Sequence, residues 1–286
     1  MAIKLVVSDI DGTLIDGTEA IAPELIEAAQ KCKEHGVVFS FATGRTKELA
    51  ARLVKTVGIT SPYVISNGAC IFQEEKCLVS HNFSVEPILS IIRRADAEGL
   101  TVTLSDERTE RALRLTDYVK EHQKFGDRFQ NFIDLDKHDW KNARFVKVMF
   151  MDEHHTGKIK AFREELKRDF GQQYWITTYA DAAVELGPCG CNKMTGVKEL
   201  MELLDVRQDE VMACGDFEND MEMVEYAGVG VAVDNACDSL KAKADYVASK
   251  PYAYGVVEAI EKILFWRCMS NERRRLQSAP GKEAAT

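Results

Sequence analysis

Short apolar runs alternate with amphipathic stretches through residues 3–68, and this alternation constrains the fold more than any other feature of the chain. Residues 3–8 (IKLVVS) form a β-rich run. Residues 22–36 follow with apolar positions at helical spacing, a proline near the start and a glycine at the end. The same pair recurs at 37–43 and 45–58, before a third strand-like run at 63–68. Strands separated by helices of this length predict a layered α/β fold with a parallel sheet.

The pattern changes after residue 81 and resumes near residue 189. Between these points the predicted elements are strands at 100–106, 145–151, 174–179 and 182–188, and helices at 85–99 and 156–171. The charged, aromatic-rich stretch 106–143 has no clear period. We therefore predict a discontinuous core of residues 1–81 and 189–286, interrupted by an inserted α+β domain at 82–188.

The last part of the chain repeats the first pattern. Strands are predicted at 210–216, 229–235 and 245–249, and helices at 194–206, 219–228, 236–244 and 255–269. The polar tail from about residue 270 is expected to be frayed or disordered.

Composition excludes several classes of protein. With 45% hydrophobic and 29% charged residues, the 286-residue chain has the composition of a soluble globular protein. Its net charge of −9 argues against nucleic acid as a main partner, because phosphate-backbone binding needs a basic face. There is no pattern of a signal peptide and no apolar stretch long enough to span a bilayer. The eight cysteines form no disulfide-like framework, so reduced thiols in a cytoplasmic protein are expected; no feature sets the oligomeric state.

Two carboxylates follow the first predicted strand. Asp9 and Asp11 are two residues apart, so in an extended chain they point the same way, at the carboxyl end where open α/β sheets bind ligands. Gly12 permits a tight turn, and Thr13 offers a hydroxyl to nearby backbone or a carboxylate. A calcium-binding EF-hand loop is excluded, because Leu14 and Ala20 stand where that loop needs glycine and glutamate. A pair of turn-forming aspartates remains the alternative for this stretch alone.

A second acidic group ends another predicted strand. Asp216 closes the run 210–216, and Asn219 and Asp220 open the next helix. If the two strands are neighbours, the four aspartates converge. Such a cluster needs a cation, and all-oxygen ligands suit Mg²⁺.

Anion-binding groups follow a third strand and open a later helix. Thr43 and the backbone of Gly44 can donate hydrogen bonds to an anion, with a helix N-terminus directly behind them. Taken alone, this stretch favours the alternative that Thr43 is a simple helix cap. Lys193 opens a helix of the same predicted core, where it would balance charge or clamp a phosphate. Together the groups suit phosphoryl transfer. An aspartate attacks phosphorus, Mg²⁺ offsets repulsion, Asp11 moves the proton, and Thr43, Lys193 and Asn219 hold the phosphoryl oxygens.

With these motifs in place, the chain resembles the haloacid dehalogenase-like phosphohydrolase superfamily. The matching segments, in the family's order, are DIDGTL (9–14), ATGR (42–45), Lys193 and GDFEND (215–220). The insert between the second and third motifs resembles a type-2 cap, and SNGA (66–69), DNA (234–236) and KADYV (243–247) resemble the Cof-type branch. The resemblance implies a Rossmann-like core whose parallel sheet is flanked by helices, a cap domain, and hydrolysis of small phosphate monoesters such as sugar phosphates.

The resemblance also implies roles for individual residues. Asp9 resembles the nucleophile and Asp11 the general acid/base, with Lys193 as a third catalytic group. The implied Mg²⁺ ligands are Asp9, the backbone carbonyl of Asp11, Asp216 and, as ligand or as neighbour of one, Asp220. The implied phosphate- and substrate-binding residues are Thr43, Gly44, Arg45, Asn67, Lys193 and Asn219. One departure is Asp234, where the branch often has glycine; it affects the expected loop conformation and not the chemistry.

Other functions fit some of the same residues. A phosphomutase or phosphotransferase keeps the same motifs, so both stay open. A non-catalytic regulatory protein that binds a phosphorylated metabolite is disfavoured, because Asp9, Asp11 and Lys193 are all present. A dinucleotide-binding protein is excluded because GVGVAV (228–233) lacks the third glycine and leads into a strand.

Overall fold

A computed structural model describes residues 2–18, 20–123, 128–179 and 182–265. They belong to two compact units: the described parts of Met1–Phe39 and Val206–Thr286 form the first, and those of Ser40–Asp205 the second. The predicted insert, 82–188, lies wholly within the second unit, and its boundaries stay a prediction. The end of the predicted closing helix and the tail from residue 270 lie outside the described residues.

Most predicted elements are present, with shorter bounds. The strands are β1 (Leu5–Ser8), β2 (Val38–Phe41), β3 (Tyr63–Ile65), β4 (Cys70–Gln73), β5 (Lys76–Ser80), β6 (Thr101–Ser105), β7 (Glu110–Ala112), β8 (Lys147–Met151), β9 (Tyr174–Tyr179), β10 (Ala183–Pro188), β11 (Val211–Gly215), β12 (Val229–Ala232) and β13 (Tyr246–Val247). The α-helices are α1 (Pro23–Glu34), α2 (Lys47–Val57), α3 (Leu89–Ala97), α4 (Asp117–His122), α5 (Lys158–Phe170), α6 (Lys193–Leu204), α7 (Met221–Tyr226), α8 (Asp238–Lys241) and α9 (Tyr252–Ile260). Short 3₁₀ turns lie at Ser66–Gly68, Glu86–Ile88, Gln208–Glu210 and Glu218–Asp220, and a π-helical turn at Glu261–Phe265 follows α9.

The first unit is built on the predicted parallel sheet. Its strand order is β13-β12-β11-β1-β2. β1 pairs in parallel with β11, so that Leu5 lies opposite Val211, and β11 pairs in parallel with β12. Both central strands are buried along their whole length, as expected for a sheet covered by helices on both faces.

This pairing positions two of the predicted acidic groups. β1 ends at Ser8 and β11 at Gly215, so Asp9 and Asp216 follow the same edge of the sheet. The Asp9 N–H donates a hydrogen bond to the Cys214 carbonyl oxygen at 3.0 Å, which extends the pairing by one residue. The expected convergence at the carboxyl ends of neighbouring strands is confirmed for this pair.

The second unit contains two antiparallel sheets. One has the order β7-β6-β8-β10-β9, and the other is β3-β4-β5. Apolar residues on one face of the larger sheet pack against α3 and α5. This core includes Val102, Leu104, Val148, Phe150, Val184, Leu186, Ile92 and Phe162. The sheet and its two helices therefore form an α/β layer pair with a shared apolar core.

The structure also contains elements that the sequence patterns missed. The hairpin of β4 and β5 was not predicted, and the predicted strand at 63–68 ends at Ile65 because the chain turns at Ser66–Gly68. Within 106–143 lie β7 and α4, and Trp140 of this stretch packs in the core beside Phe145. Within the described part of the chain, no helix has the length and apolar character needed to cross a membrane.

A half-buried carboxylate fastens α9 to the end of the parallel sheet. Glu258 accepts hydrogen bonds from the hydroxyl of Tyr246, from Ser249 Oγ at 2.6 Å and from Lys262 Nζ at 2.8 Å. Burial alone would raise the pKa of Glu258, but these donors outweigh it and lower the pKa to about 2.

This shift predicts a pH dependence of stability. Because the pKa of Glu258 is lower in the folded state, its stabilising effect is full above pH about 4.5 and is lost as the pH falls towards 2. We expect Glu258→Gln to lower the thermal unfolding midpoint at pH 6 by about 2–4 °C, and the gap from wild type to narrow by pH 3.5. Differential scanning calorimetry at both pH values measures this. Glu164→Gln, an exposed position on α5, is the control; a gap that stays constant with pH contradicts the prediction.

Candidate active site

Three carboxylates converge at the carboxyl edge of the parallel sheet. One oxygen each of Asp9, Asp216 and Asp220 lies within 4.8 Å of the others. Asp9 and Asp220 are buried and Asp216 is half-buried. Three carboxylates at this spacing repel one another strongly in a partly buried place, so the group is a candidate centre for a cation.

Neighbouring donors hold two of the three carboxylates, those of Asp216 and Asp220, in position. Thr13 Oγ1 donates to Asp216 Oδ1 at 2.6 Å. The backbone N–H groups of Asp216 and Phe217 donate to Asp220 Oδ2 at 3.0 and 3.1 Å. Asp220 is thereby fixed by its own turn, while the hydroxyl of Thr13 ties the loop after β1 to the end of β11.

Two glycines allow the chain to approach this closely. Gly12 has φ +88°, and a Cβ there would lie 2.3 Å from Asp216 Oδ2. A Cβ at Gly215 would lie 2.4 Å from the Cβ of Asp220. A side chain at either position would push the carboxylates apart, so the cluster requires glycine at both positions.

Two further predicted residues lie next to the cluster. Asp11 is exposed, in the turn where it bridges to Ile15, and it is not one of the three converging carboxylates. Asn219 is half-buried in the turn that carries Asp220. The roles assigned to Asp11 and Asn219 stay predictions.

Asn235 supports the turn after β1, a contact that sequence reasoning missed. Its Nδ2 donates to the Gly12 carbonyl oxygen at 2.8 Å, and its Oδ1 accepts the N–H of Tyr252 at 2.9 Å. The available signal was the DNA segment at 234–236, which carried the family resemblance but was given no role.

The remaining predicted residues lie in the second unit, where two loops meet. Thr43 is fully buried, and its Oγ1 accepts the N–H of Arg45 at 3.1 Å. The Asn67 N–H donates to the Thr43 carbonyl oxygen, and the Ser66 N–H to that of Arg45, both at 2.9 Å. Gly44 and the half-buried Arg45 therefore lie beside Asn67, and the roles assigned to these residues stay predictions.

The second of these loops has an unusual backbone. Ser66, Asn67 and Gly68 have φ values of 49°, 52° and 96°, three left-handed residues in succession. Such a conformation is costly for residues with a Cβ and persists where surrounding contacts over-determine it. Here a Cβ at Gly68 would lie 2.0 Å from the carbonyl oxygen of Asn192, so the turn is pressed against the start of α6.

Lys193 is the first residue of α6 and is 2% exposed. The helix begins with a capping box: Asn192 Oδ1 accepts the N–H of Thr195 at 2.8 Å, and Thr195 Oγ1 accepts that of Asn192 at 2.9 Å. A buried ammonium is stable where negative groups compensate its charge, which suits a residue that holds an anion.

Sequence reasoning also missed Lys147 and Glu185, which contact the two loops. Lys147 Nζ donates to the Gly44 carbonyl oxygen at 3.2 Å, and Asn67 Nδ2 donates to Glu185 Oε1 at 2.7 Å. Both residues are buried in strands of the larger antiparallel sheet. A charged residue inside an otherwise apolar strand was the available signal.

The chain matches known proteins over nearly its whole length. A family model described as haloacid dehalogenase-like hydrolase matches residues 6–260. A Bacillus subtilis protein named 5-amino-6-(5-phospho-D-ribitylamino)uracil phosphatase YcsE is 28% identical, covering 90% of this chain and 94% of the relative. A phosphoglycolate phosphatase of Staphylothermus marinus is also 28% identical, covering 92% of this chain and 98% of the relative.

A solved structure agrees on the fold. The crystal structure of a haloacid dehalogenase-like hydrolase from Bacteroides thetaiotaomicron superposes with a TM-score of 0.80 at 24% identity, covering 91% of this chain and 99% of the other. The α/β architecture with additional antiparallel sheets is therefore shared with solved members of this fold.

The close approach at Gly12 predicts how the cluster responds to an added methyl group. Gly12→Ala places a Cβ against Asp216, so we expect divalent-cation binding to weaken ten- to hundredfold. Isothermal titration calorimetry with Mg²⁺ measures the effect.

Gly17→Ala is the matched control, because Gly17 has φ +83° and a Cβ added there would meet no atom within 4 Å. It carries the same backbone cost without the clash, so its affinity should stay within about twofold of wild type. Equal loss of affinity in both variants would contradict the assignment of the cluster as a cation site.

Proposed function

Because the chain belongs to the family of haloacid dehalogenase-like hydrolases, we propose that it hydrolyses small phosphate monoesters in a Mg²⁺-dependent reaction through an aspartyl-phosphate intermediate. The family and the phosphatases among its relatives support the class of enzyme, a phosphoric monoester hydrolase. The observation that carries the proposal is the convergence of Asp9, Asp216 and Asp220. The cytoplasmic location expected from the sequence stays a prediction.

The acidic cluster fits a small, hard cation. All its donors are carboxylate oxygens, the ligand type that Mg²⁺ prefers, and one oxygen of each carboxylate lies within 4.8 Å of the others. Asp9, Asp216 and Asp220 would hold the ion, with the backbone carbonyl of Asp11 as the further ligand implied by the family. When bound, Mg²⁺ would offset the repulsion between the carboxylates and the phosphate.

In the first half of the proposed reaction, Asp9 is the nucleophile. A carboxylate oxygen of Asp9 attacks phosphorus, the bond from phosphorus to the ester oxygen breaks, and an aspartyl-phosphate forms. The carboxyl group of Asp11 gives its proton to the leaving alcohol. The exposed position of Asp11, two residues after the buried Asp9, supports this division of roles, since the proton carrier must meet substrate and water in turn.

In the second half, Asp11 acts as a base. It takes a proton from a water molecule, which attacks phosphorus and releases phosphate from Asp9. Thr43, the Gly44 backbone, Lys193 and Asn219 are proposed to hold the phosphoryl oxygens, with Arg45 and Asn67 facing the rest of the substrate. The burial of Thr43 and Lys193 supports these roles, because hydrogen bonds to phosphate oxygens are stronger where water is excluded.

The first test is phosphate release from a panel of sugar phosphates, polyol phosphates, nucleotides and phosphoglycolate, with Mg²⁺ and with EDTA. We expect release to need Mg²⁺, and Asp9→Asn to lower kcat at least about a thousandfold because the nucleophile is lost.

Asp209→Asn is the matched control, since Asp209 precedes β11 at the end of the strand remote from Asp216. Its rate should equal that of wild type. Full activity in Asp9→Asn would overturn the assignment of the nucleophile. Binding of Mg²⁺ without release from any ester would overturn hydrolysis, and would favour phosphoryl transfer to another acceptor or a regulatory binding role.

A further inference from the structure

The larger antiparallel sheet of the second unit has one apolar and one polar face. Residues on the apolar face, such as Val148 and Val184, pack in the core with α3 and α5. Their neighbours along each strand point to the other side. On that side lie Thr103, Ser105, Glu110, Lys147 and Glu185, each at most 6% exposed, which we call the polar sheet face; the buried Met149 lies among them. Buried polar side chains are costly unless they are hydrogen-bonded, and four of these five have partners in the protein: Thr103, Glu110, Lys147 and Glu185.

Part of the polar sheet face contacts the loops assigned to phosphate and substrate binding. Lys147 reaches Gly44, and Glu185 accepts from Asn67, as described above. Lys147 Nζ is also 4.0 Å from Glu185 Oε2. The two charged side chains therefore lie next to the place where the phosphoryl group of a substrate is proposed to bind.

Ser105 lies between the charges of the polar sheet face. In the strand register, Ser105 stands opposite Glu110 on one side and Lys147 on the other. Its side chain is completely buried, and its Oγ has no hydrogen-bond partner among the described residues. A buried hydroxyl that lies between charged neighbours and has no partner in the described part of the chain is a position from which a ligand hydroxyl can be bound.

The charges of this region are balanced. Glu110 accepts hydrogen bonds from Thr103 Oγ1 at 2.6 Å and from Arg128 Nη2, which lies 2.7 Å from Glu110 Oε2. Burial favours protonation of Glu110, but Lys147 and Arg128 outweigh it and hold its pKa below the usual value. Two cations, Lys147 and Arg128, thus face two carboxylates, Glu110 and Glu185.

We propose that Lys147, Glu185 and Ser105 form a specificity-determining subsite for the leaving group of the phosphate ester, and that it selects a neutral, hydroxylated leaving group over one that carries a carboxylate. This inference rests on the proposed function, because it takes the loops around Gly44 and Asn67 as binders of the substrate.

The preference follows from the donors and the charge. Lys147 can donate to a hydroxyl oxygen, Glu185 can accept a hydroxyl proton, and Ser105 can do either, so adjacent hydroxyls of a polyol chain satisfy all three. A carboxylate at the same place would meet the carboxylates of Glu110 and Glu185, whose charges Lys147 and Arg128 already balance. A site built to bind hydroxyls in this way rejects analogues that lack them.

The test compares three esters: D-ribitol 5-phosphate, phosphoglycolate and p-nitrophenyl phosphate, each with Mg²⁺. For wild type we expect kcat/KM for ribitol phosphate to exceed that for phosphoglycolate at least tenfold. Glu185→Gln and Lys147→Met should lower the ratio of kcat/KM for ribitol phosphate to that for p-nitrophenyl phosphate at least tenfold, mainly through KM. Glu185→Gln should also narrow the gap between ribitol phosphate and phosphoglycolate, because it removes one of the repelling carboxylates.

Ser105→Ala removes only one hydroxyl, so it keeps the test interpretable if a charge substitution prevents folding. In this variant the ratio of kcat/KM for ribitol phosphate to that for p-nitrophenyl phosphate should fall about threefold or more. The matched controls are Lys160→Met and Glu164→Gln, exposed positions on α5 that should leave every ratio unchanged.

The outcomes separate this inference from the proposed function. If wild type hydrolyses none of the three esters, the proposed function fails and the subsite with it. If p-nitrophenyl phosphate is hydrolysed while folded Glu185→Gln and Ser105→Ala keep wild-type ratios, hydrolysis stands and the subsite is overturned. A wild-type preference for phosphoglycolate likewise overturns the subsite alone.

Discussion

The convergence of Asp9, Asp216 and Asp220, whose carboxylates repel one another, is the constraint on which the candidate cation site of the first unit depends. The parallel pairing of β1 with β11 brings two of the carboxylates to one sheet edge, and the turn after β11 adds the third. The Thr13 hydroxyl holds Asp216, and two backbone N–H groups hold Asp220. Gly12 and Gly215 leave the space that these side chains occupy. The fold thus maintains a concentration of negative charge that a cation can relieve.

In the second unit, the energetically costly features are a strained backbone turn and buried charged side chains. Three successive left-handed residues at Ser66–Gly68 are held by contacts with the loop after β2 and with the start of α6. The polar sheet face meets the same loops through Lys147 and Glu185. Both features cost stability, and natural chains concentrate such costs where a ligand binds.

Much of the fold and part of the candidate site could be predicted from the sequence. Periodicity predicted the parallel sheet and most helices, and the placement of Asp9 and Asp216 after apolar runs predicted their convergence. The hairpin of β4 and β5 was not predicted, because its strands are short and its turn is a run of charged residues. The stretch 106–143 escaped because β7 and α4 are too short to show a period.

The sequence by itself determined the local structure and the chemical character of the candidate residues, because propensity, periodicity and side-chain type are properties of neighbouring residues. The tertiary structure alone decided which residues meet. Thr13 reaches Asp216 across 203 residues of chain. Ser105 lies between Glu110 and Lys147 through strand register, which depends on pairing and packing over the whole sheet. Contacts of this kind follow from the burial of apolar faces, and no local pattern encodes them.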